Sequence, residues 1–232
     1  MNRDELQVAL KVPQSVSVDR VIPKVSLYKG LRSPKEKQIV KENINKVIWL
    51  ASFKPNNTNI SPFKNEYENY SEIELIFVDI KDLKASQKIF EVISKLIPYP
   101  LILIFQRNDS YQIFTGQYKL KKDDFLKLDD TVKTAVISLN VLKDFFDVDG
   151  YDLNSINLKQ FYLSFEDRIL KLAISKSKQL KENVDYSVIL DLQNQIKQLT
   201  DQARKESQLN LKVDLMKKIE VKQNKLDNFY RR

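Results

Sequence analysis

The sequence predicts an α+β fold: a mixed β-sheet domain with flanking helices, followed by a long α-helical, coiled-coil-like C-terminal arm. Three observations point there. Strand-like and helix-like runs succeed one another in a β-α-β-β order between Ser71 and Leu139, which implies a mixed sheet whose parallel pair is bridged by a helix. From about Asn157 the texture becomes helical, with no Gly or Pro between Tyr151 and Arg232. The 232 residues are 42% hydrophobic and 30% charged, which suits one core plus a solvated extension. Residues 1–152 are assigned to the core domain and residues 153–232 to the arm.

Taken in order, Arg3–Leu10 reads as a short helix before Pro13, and Val21–Tyr28 as an extended segment containing Ile22-Pro23-Lys24. Ser33-Pro34-Lys35-Glu36 is a helix start: a Ser cap, Pro at the first helical position and Glu three residues past the cap. Ile39, Val40, Ile44, Val47 and Ile48 follow at helical spacing, so this helix is expected to continue to about Ser52, ahead of Pro55 and the Asn56–Asn59 tract. Ser71–Lys81 is a strand, rich in β-branched and aromatic residues. Ser86–Leu96 carries Ile89, Phe90, Ile93 and Leu96 on one helical face. After Pro98-Tyr99-Pro100, the unbroken run Leu101–Phe105 has the look of a strand covered on both faces. Asn108-Asp109-Ser110 turns the chain into a return strand, Tyr111–Tyr118, and Thr131–Leu139 adds another. In the arm, one helix spans Leu158–Lys181, with a break near Asn183-Val184-Asp185. A second runs from Tyr186 to Asn228, its apolar seam shifting frame at Arg204–Asn210 as a stutter or a kink would. Such an arm pairs with a second copy, as a homodimer, or with another chain.

Composition removes most enzyme classes. With no His and no Cys, the chain has no Ser-His-Asp or Cys-His pair, no thiolate or imidazole zinc site and no disulfide. Three glycines, Gly30, Gly116 and Gly150, cannot build a P-loop or a GxGxxG turn. Any chemistry would run on carboxylates, Lys, Arg, Tyr, Ser or Thr, with Mg²⁺ as the natural ion and no other cofactor expected. No apolar run approaches the ~20 residues of a membrane span, and the first residues lack the apolar stretch of a secretory signal. Cytoplasmic residence is the expectation. The net charge of +8 is split into a balance of +7 over residues 1–64, −5 over 65–152 and +6 over 153–232. Such a layout can present basic surface to an anionic partner, although Lys-rich usage alone produces a similar figure.

Two sets of residues are candidates for function. Asp79-Ile80-Lys81 has the form of the (D/E)xK element of restriction-type nucleases, in which paired acids hold Mg²⁺ and the lysine steadies the attacking water. Glu72 and Glu74 on the same strand complete the catalytic candidates. Asp79 and Lys81 share a face with Glu72 opposite, and the loop acids Glu66 and Glu68 are the other available partners. A charged strand end entering a turn accounts for the same residues. The second set, Lys24, Arg32, Lys35, Lys37, Lys41 and Lys46, with Tyr28 and Trp49 nearby, could track phosphates and stack a base. A solvated helix face with Trp49 in the core accounts for these too. No dedicated metal-ligand set is present.

Four short pieces, in this order, resemble domain-of-unknown-function family 4391: Ile22-Pro23-Lys24 followed by Tyr28; Ile48-Trp49 followed by Thr58-Asn59-Ile60; Glu72-Ile73-Glu74 leading to Ile97-Pro98-Tyr99; and Glu206-Ser207-Gln208 with Lys212-Val213-Asp214-Leu215. The likeness covers the chain from about residue 18, and departs from the family pattern around 120–150, which is more acidic here. The resemblance implies a prokaryotic protein encoded beside DNA methyltransferases and Swi/Snf-type helicases in restriction or phage-defence clusters. The expected role is thus a non-catalytic accessory or interaction subunit contacting DNA or a partner methyltransferase or helicase. The alternatives are a Mg²⁺-dependent nuclease and a structural coiled-coil dimer without DNA contact.

Overall fold

A computed structural model describes residues 3–121, 125–147, 150–175, 186–206 and 208–229. The chain falls into two compact units, residues 1–169 and residues 170–232.

The first unit opens with α1 (Arg3–Ala9), β1 (Ser17–Val21), α2 (Lys24–Gly30), α3 (Pro34–Asn43) and β2 (Ile44–Phe53). A helical turn α4 (Pro55–Thr58) and the small hairpin β3 (Phe63–Lys64) and β4 (Asn69–Tyr70) lead into β5 (Ile73–Ile80). Next come α5 (Ser86–Ser94), β6 (Leu101–Arg107), β7 (Ser110–Leu120), β8 (Leu126–Lys133), β9 (Ile137–Ser138), α6 (Leu139–Asp147) and α7 (Leu158–Ser175). The main sheet has the order β1-β2-β5-β6-β7-β8, with β9 also on β7. Only β5 and β6 run parallel, joined by α5 as the β-α-β order predicts.

The strand β5 is central and buried along almost its whole length, so its residues serve two cores. Ile76, Val78 and Ile80 face one way, into a layer made by Leu27 of α2, Val40 of α3 and Ile89, Phe90 and Ile93 of α5. Residues of odd number face the other way, where Phe53 of β2 meets Phe161 of α7 at 4.8 Å between ring centroids. Tyr151, Phe146 and Phe165 extend that aromatic cluster. The Tyr162 hydroxyl, fully buried, accepts from the Gly116 N–H at 2.7 Å and lies 2.9 Å from both the Leu101 and Gly116 carbonyls, to one of which it donates. The first three turns of α7 are therefore part of the sheet domain's core.

Several expectations need correction. Ser33 does cap α3, its Oγ accepting from the Glu36 N–H, but the helix stops at Asn43 and residues 44–53 form β2. Apolar residues at 44, 47 and 48 fit helical spacing, yet Ile44, Val47, Ile48 and Trp49 are β-formers, and the strand is hydrogen-bonded on both edges by β1 and β5. The segment Val21–Tyr28, expected to be extended, is mostly helical: β1 ends at Val21 and Lys24 starts α2. The last long strand is β8 at Leu126–Lys133, earlier than Thr131–Leu139; its exposed Lys127, Asp129, Asp130 and Lys133 suit a sheet edge that must not recruit another strand.

Gly116 is placed where a side chain has no room. A Cβ there would stand 2.5 Å from Leu128 Cδ1 and 2.9 Å from the Tyr118 ring. Gly116→Ala is expected to destabilise the sheet domain by about 1–3 kcal/mol, since the buried Tyr118 cannot retreat. Chemical denaturation measures this, and an unchanged midpoint would show that the hairpin relaxes freely.

In the second unit, α8 (Tyr186–Lys205) and α9 (Leu209–Asp227) pack as a helical hairpin. Lys222 donates to Gln195 across the pair, and Leu192, Ala203 and Leu226 are buried. The expected uninterrupted helix from Tyr186 to Asn228, and with it the long coiled-coil arm, is thus two helices of 20 and 19 residues. The frame shift at Arg204–Asn210 is where the chain reverses, which lets the apolar seam close on itself. The break anticipated near Asn183 lies outside the described residues. Among those described, no helix is long and apolar enough to cross a membrane.

Candidate functional site

The four candidate catalytic residues divide between the two ends of β5. Glu74 and Asp79 are five positions apart, about 16 Å along an extended strand, too far to share an ion. Asp79 accepts from Asn45 Nδ2 at 3.3 Å and stands opposite Lys46 in the register of β2. A restriction-type element needs a second acid on that preceding strand; Asn45 and Lys46 occupy the place. Glu68, the loop alternative, is bound to Lys159 at 2.6 Å. Among the described residues no three acids gather as a metal site would require.

Glu72 and Glu74 do form a site, with different partners. Strand β2 brings Trp49 and Ser52 beside β5, and the chain leaving β2 adds Lys54. The indole Nε1–H donates to Glu74 Oε2 at 2.6 Å. Ser52 Oγ lies 2.9 Å from Glu72 Oε1 and 3.2 Å from Glu74 Oε1, and Lys54 Nζ is 2.7 Å from Glu72 Oε1. The two carboxyl groups interact closely, each displacing the other's proton affinity, and the charge of Glu72 reaches Tyr99 in the loop after α5. Trp49, Glu72, Glu74 and Tyr99 belong to three separate short stretches of sequence, which the sheet collects into one cluster.

Electrostatics divides the pair. Glu74 is only 3% exposed, and burial is the main reason its carboxyl is pushed up to about 9; the neighbouring Glu72 adds to this. Glu72 is also raised by desolvation, but bonds to Glu74, Lys54 and Ser52 outweigh it and leave its carboxyl below the usual value. Its negative charge raises both Lys54 and Tyr99. The cluster therefore holds one proton between two acids and one ion pair at its rim. Its oxygens are already engaged by Trp49, Ser52 and Lys54, so it serves to lock β2 and β5 together.

The basic candidates are similarly dispersed. Lys35, Lys37 and Lys41 are exposed on α3, Lys24 is half-buried at the start of α2, and Lys46 lies on β2 with the helix already ended. Trp49 and Tyr28 pack against the core, and the indole N–H is spent on Glu74, so neither is a free stacking platform. Arg32 lines a cavity, an open groove of about 650 Å³ between the end of α2, the end of α5 and the β7–β8 hairpin. Lys95, Lys121 and Lys127 join it there, opposed by Glu36 and Glu91. Lys95 is paired with Glu36 at 2.7 Å, which leaves Arg32, Lys121 and Lys127 against Glu91, a surplus of two positive charges. Phe125, 40% exposed, lies in the same wall. Sequence reasoning missed Lys95, Lys121, Phe125 and Lys127 because residues 120–130 read as an acidic stretch; the available signal was Lys and Phe interleaved about a hairpin.

Comparison with known families gives one match: a family model described as a domain of unknown function (DUF4391) covers residues 10–226. Neither the curated proteins nor the solved structures contain a match to the chain.

Proposed function

We propose, for a chain that belongs to domain-of-unknown-function family 4391, a non-catalytic accessory role in a bacterial DNA-modification or phage-defence assembly, with the basic groove as its contact to nucleic acid. The observation that carries this reading is that Arg32, Lys121 and Lys127, set against Glu91, stand around Phe125 in one concave surface. Cations so spaced engage phosphates while an exposed ring offers a face for a base. The exposed Lys35, Lys37 and Lys41 of α3, which begins two residues after Arg32, widen the basic surface. The C-terminal hairpin supplies the assembly contact: Leu211, Val213, Met216 and Val221 of α9 are each at least 44% exposed, an apolar set that a coiled-coil partner or a second copy would cover. The partner enzyme is a DNA methyltransferase or helicase, and the setting is cytoplasmic.

Fluorescence anisotropy with single- and double-stranded DNA over a range of salt tests the proposal. Three groove cations meeting phosphates predict a log–log salt slope of about −2 to −3. A slope near zero would remove nucleic acid as the ligand and leave a purely structural pairing role.

A further inference from the structure

A second cavity, of about 440 Å³, opens on the far side of the hairpin strands, walled by β4, β7, β8 and the first turns of α7. Its acids and bases do not balance. Lys159 is taken by Glu68 at 2.6 Å and Lys119 by Asp129 at 2.7 Å. That leaves Glu166, 5% exposed, with no cation among these pairs. Gln117 favours the charged carboxyl, yet Glu166 Oε1 has no hydrogen-bond partner. Tyr118, which lines the same cavity, likewise has a buried hydroxyl without one. Ionised, the carboxyl oxygen is an acceptor, and a hydroxyl can accept too, so a donor satisfies both. Three tyrosines, Tyr67, Tyr70 and Tyr118, provide aromatic wall, and Tyr67 is 70% exposed at the rim.

We propose that this cavity binds a guanidinium or primary ammonium group, with Glu166 as its counter-ion and the tyrosines as its aromatic wall. A planar group with several N–H donors satisfies more than one orphaned acceptor at once, and its charge gains from the ring faces. Two sources offer such a group: a free amine, or an Arg or Lys side chain of a polypeptide. The site is separate from the basic groove and does not depend on the role proposed for it. Because the protein carries a net charge of +8, a cation that binds it does so against the overall field, so non-specific attraction does not explain a signal.

Binding also moves a proton. Burial, then Asp167 on the same helix and Asp130 of β8, push the Glu166 carboxyl up to about 8, while Gln117 of β7 acts the other way. Tyr70, Tyr118 and Tyr162 face it as well, and all three are raised far above neutral pH. Glu166 thus still holds its proton at neutral pH, and an arriving cation ionises it.

Titration calorimetry with agmatine and with an end-blocked Gly-Arg-Gly peptide tests this on the full chain, in two pH 7 buffers of different ionisation enthalpy, with butylurea as the neutral control. The expected result is binding of at least one cation with release of nearly one proton, weakened tenfold or more in Glu166→Gln. Agmatine alone binding assigns the site to a free amine; the peptide alone binding assigns it to a polypeptide. The proton count is read on the unaltered protein, so it decides the matter even if the variant misfolds. Binding of neither cation, equal binding of butylurea, or binding without proton release overturns the proposal.

Discussion

Phe161→Ala is expected to cost the sheet domain about 4 kcal/mol, one of the largest single losses available in this chain. Phe161 is fully buried and stacks within 4.8 Å of Phe53 and 5.3 Å of Phe165, so truncation opens a cavity at the centre of the aromatic layer. The same packing predicts the behaviour of fragments. Residues 1–169 should fold with cooperative unfolding. Residues 1–152 should not, because Leu158, Phe161, Tyr162, Phe165 and Ile169, all buried, would be missing from one face of the sheet. Removing them also leaves Gly116 without the Tyr162 hydroxyl. Circular dichroism and urea titration of the two fragments decide it; a cooperatively folded 1–152 fragment would show that α7 is only an appendage.

The second large effect is a dependence on pH. Glu74 holds its proton to about pH 9 in the folded chain, whereas an unfolded Glu releases it near 4.5. The native state thus binds more protons than the unfolded state between those values, so stability is full below about pH 4.5 and is lost as pH rises toward 9. The whole displacement corresponds to about 6 kcal/mol at ~1.4 kcal/mol per unit; Glu72, held below the usual carboxylate value, titrates below this window and does not offset the decline. Glu74→Gln keeps an acceptor for Trp49 and a donor for Glu72 but has no proton to lose. It should flatten most of the decline while leaving stability at pH 5 within about 1 kcal/mol of the parent. Denaturation midpoints from pH 5 to 9 measure both. An identical decline in the variant would mean that Glu74 is ionised in the fold.

Much of the sheet was legible before folding. The run at Leu101–Phe105 had to be covered on both faces, Ser33 had to cap α3, and the parallel pair followed from the strand–helix–strand order. The strand β2 was not, because Ile44, Val47 and Ile48 satisfy a helical and an extended pattern alike; only the two neighbouring strands choose between them. The reversal between α8 and α9 left a trace in the shifted seam, but no Gly or Pro marked it as a turn. Glu72 and Glu74 were visible as chemistry-bearing residues and grouped with Asp79 and Lys81, but their burial beside Trp49 depends on a contact across 25 positions. The groove was hidden for the same reason: Arg32, Lys95 and Lys127 meet only when α2, α5 and the β7–β8 hairpin are assembled. Pattern reports local structure, whereas a site is a coincidence of distant segments.

The most direct measurement of the central reading is DNA affinity and its salt slope in two charge-reversed proteins. One carries Arg32→Glu with Lys127→Glu in the groove, the other Lys37→Glu with Lys41→Glu on α3. If the groove is the nucleic-acid contact, the first pair lowers affinity tenfold or more and reduces the slope by about 2, and the second changes each by less than half as much. Equal losses in both proteins, or no loss in the first, would contradict it.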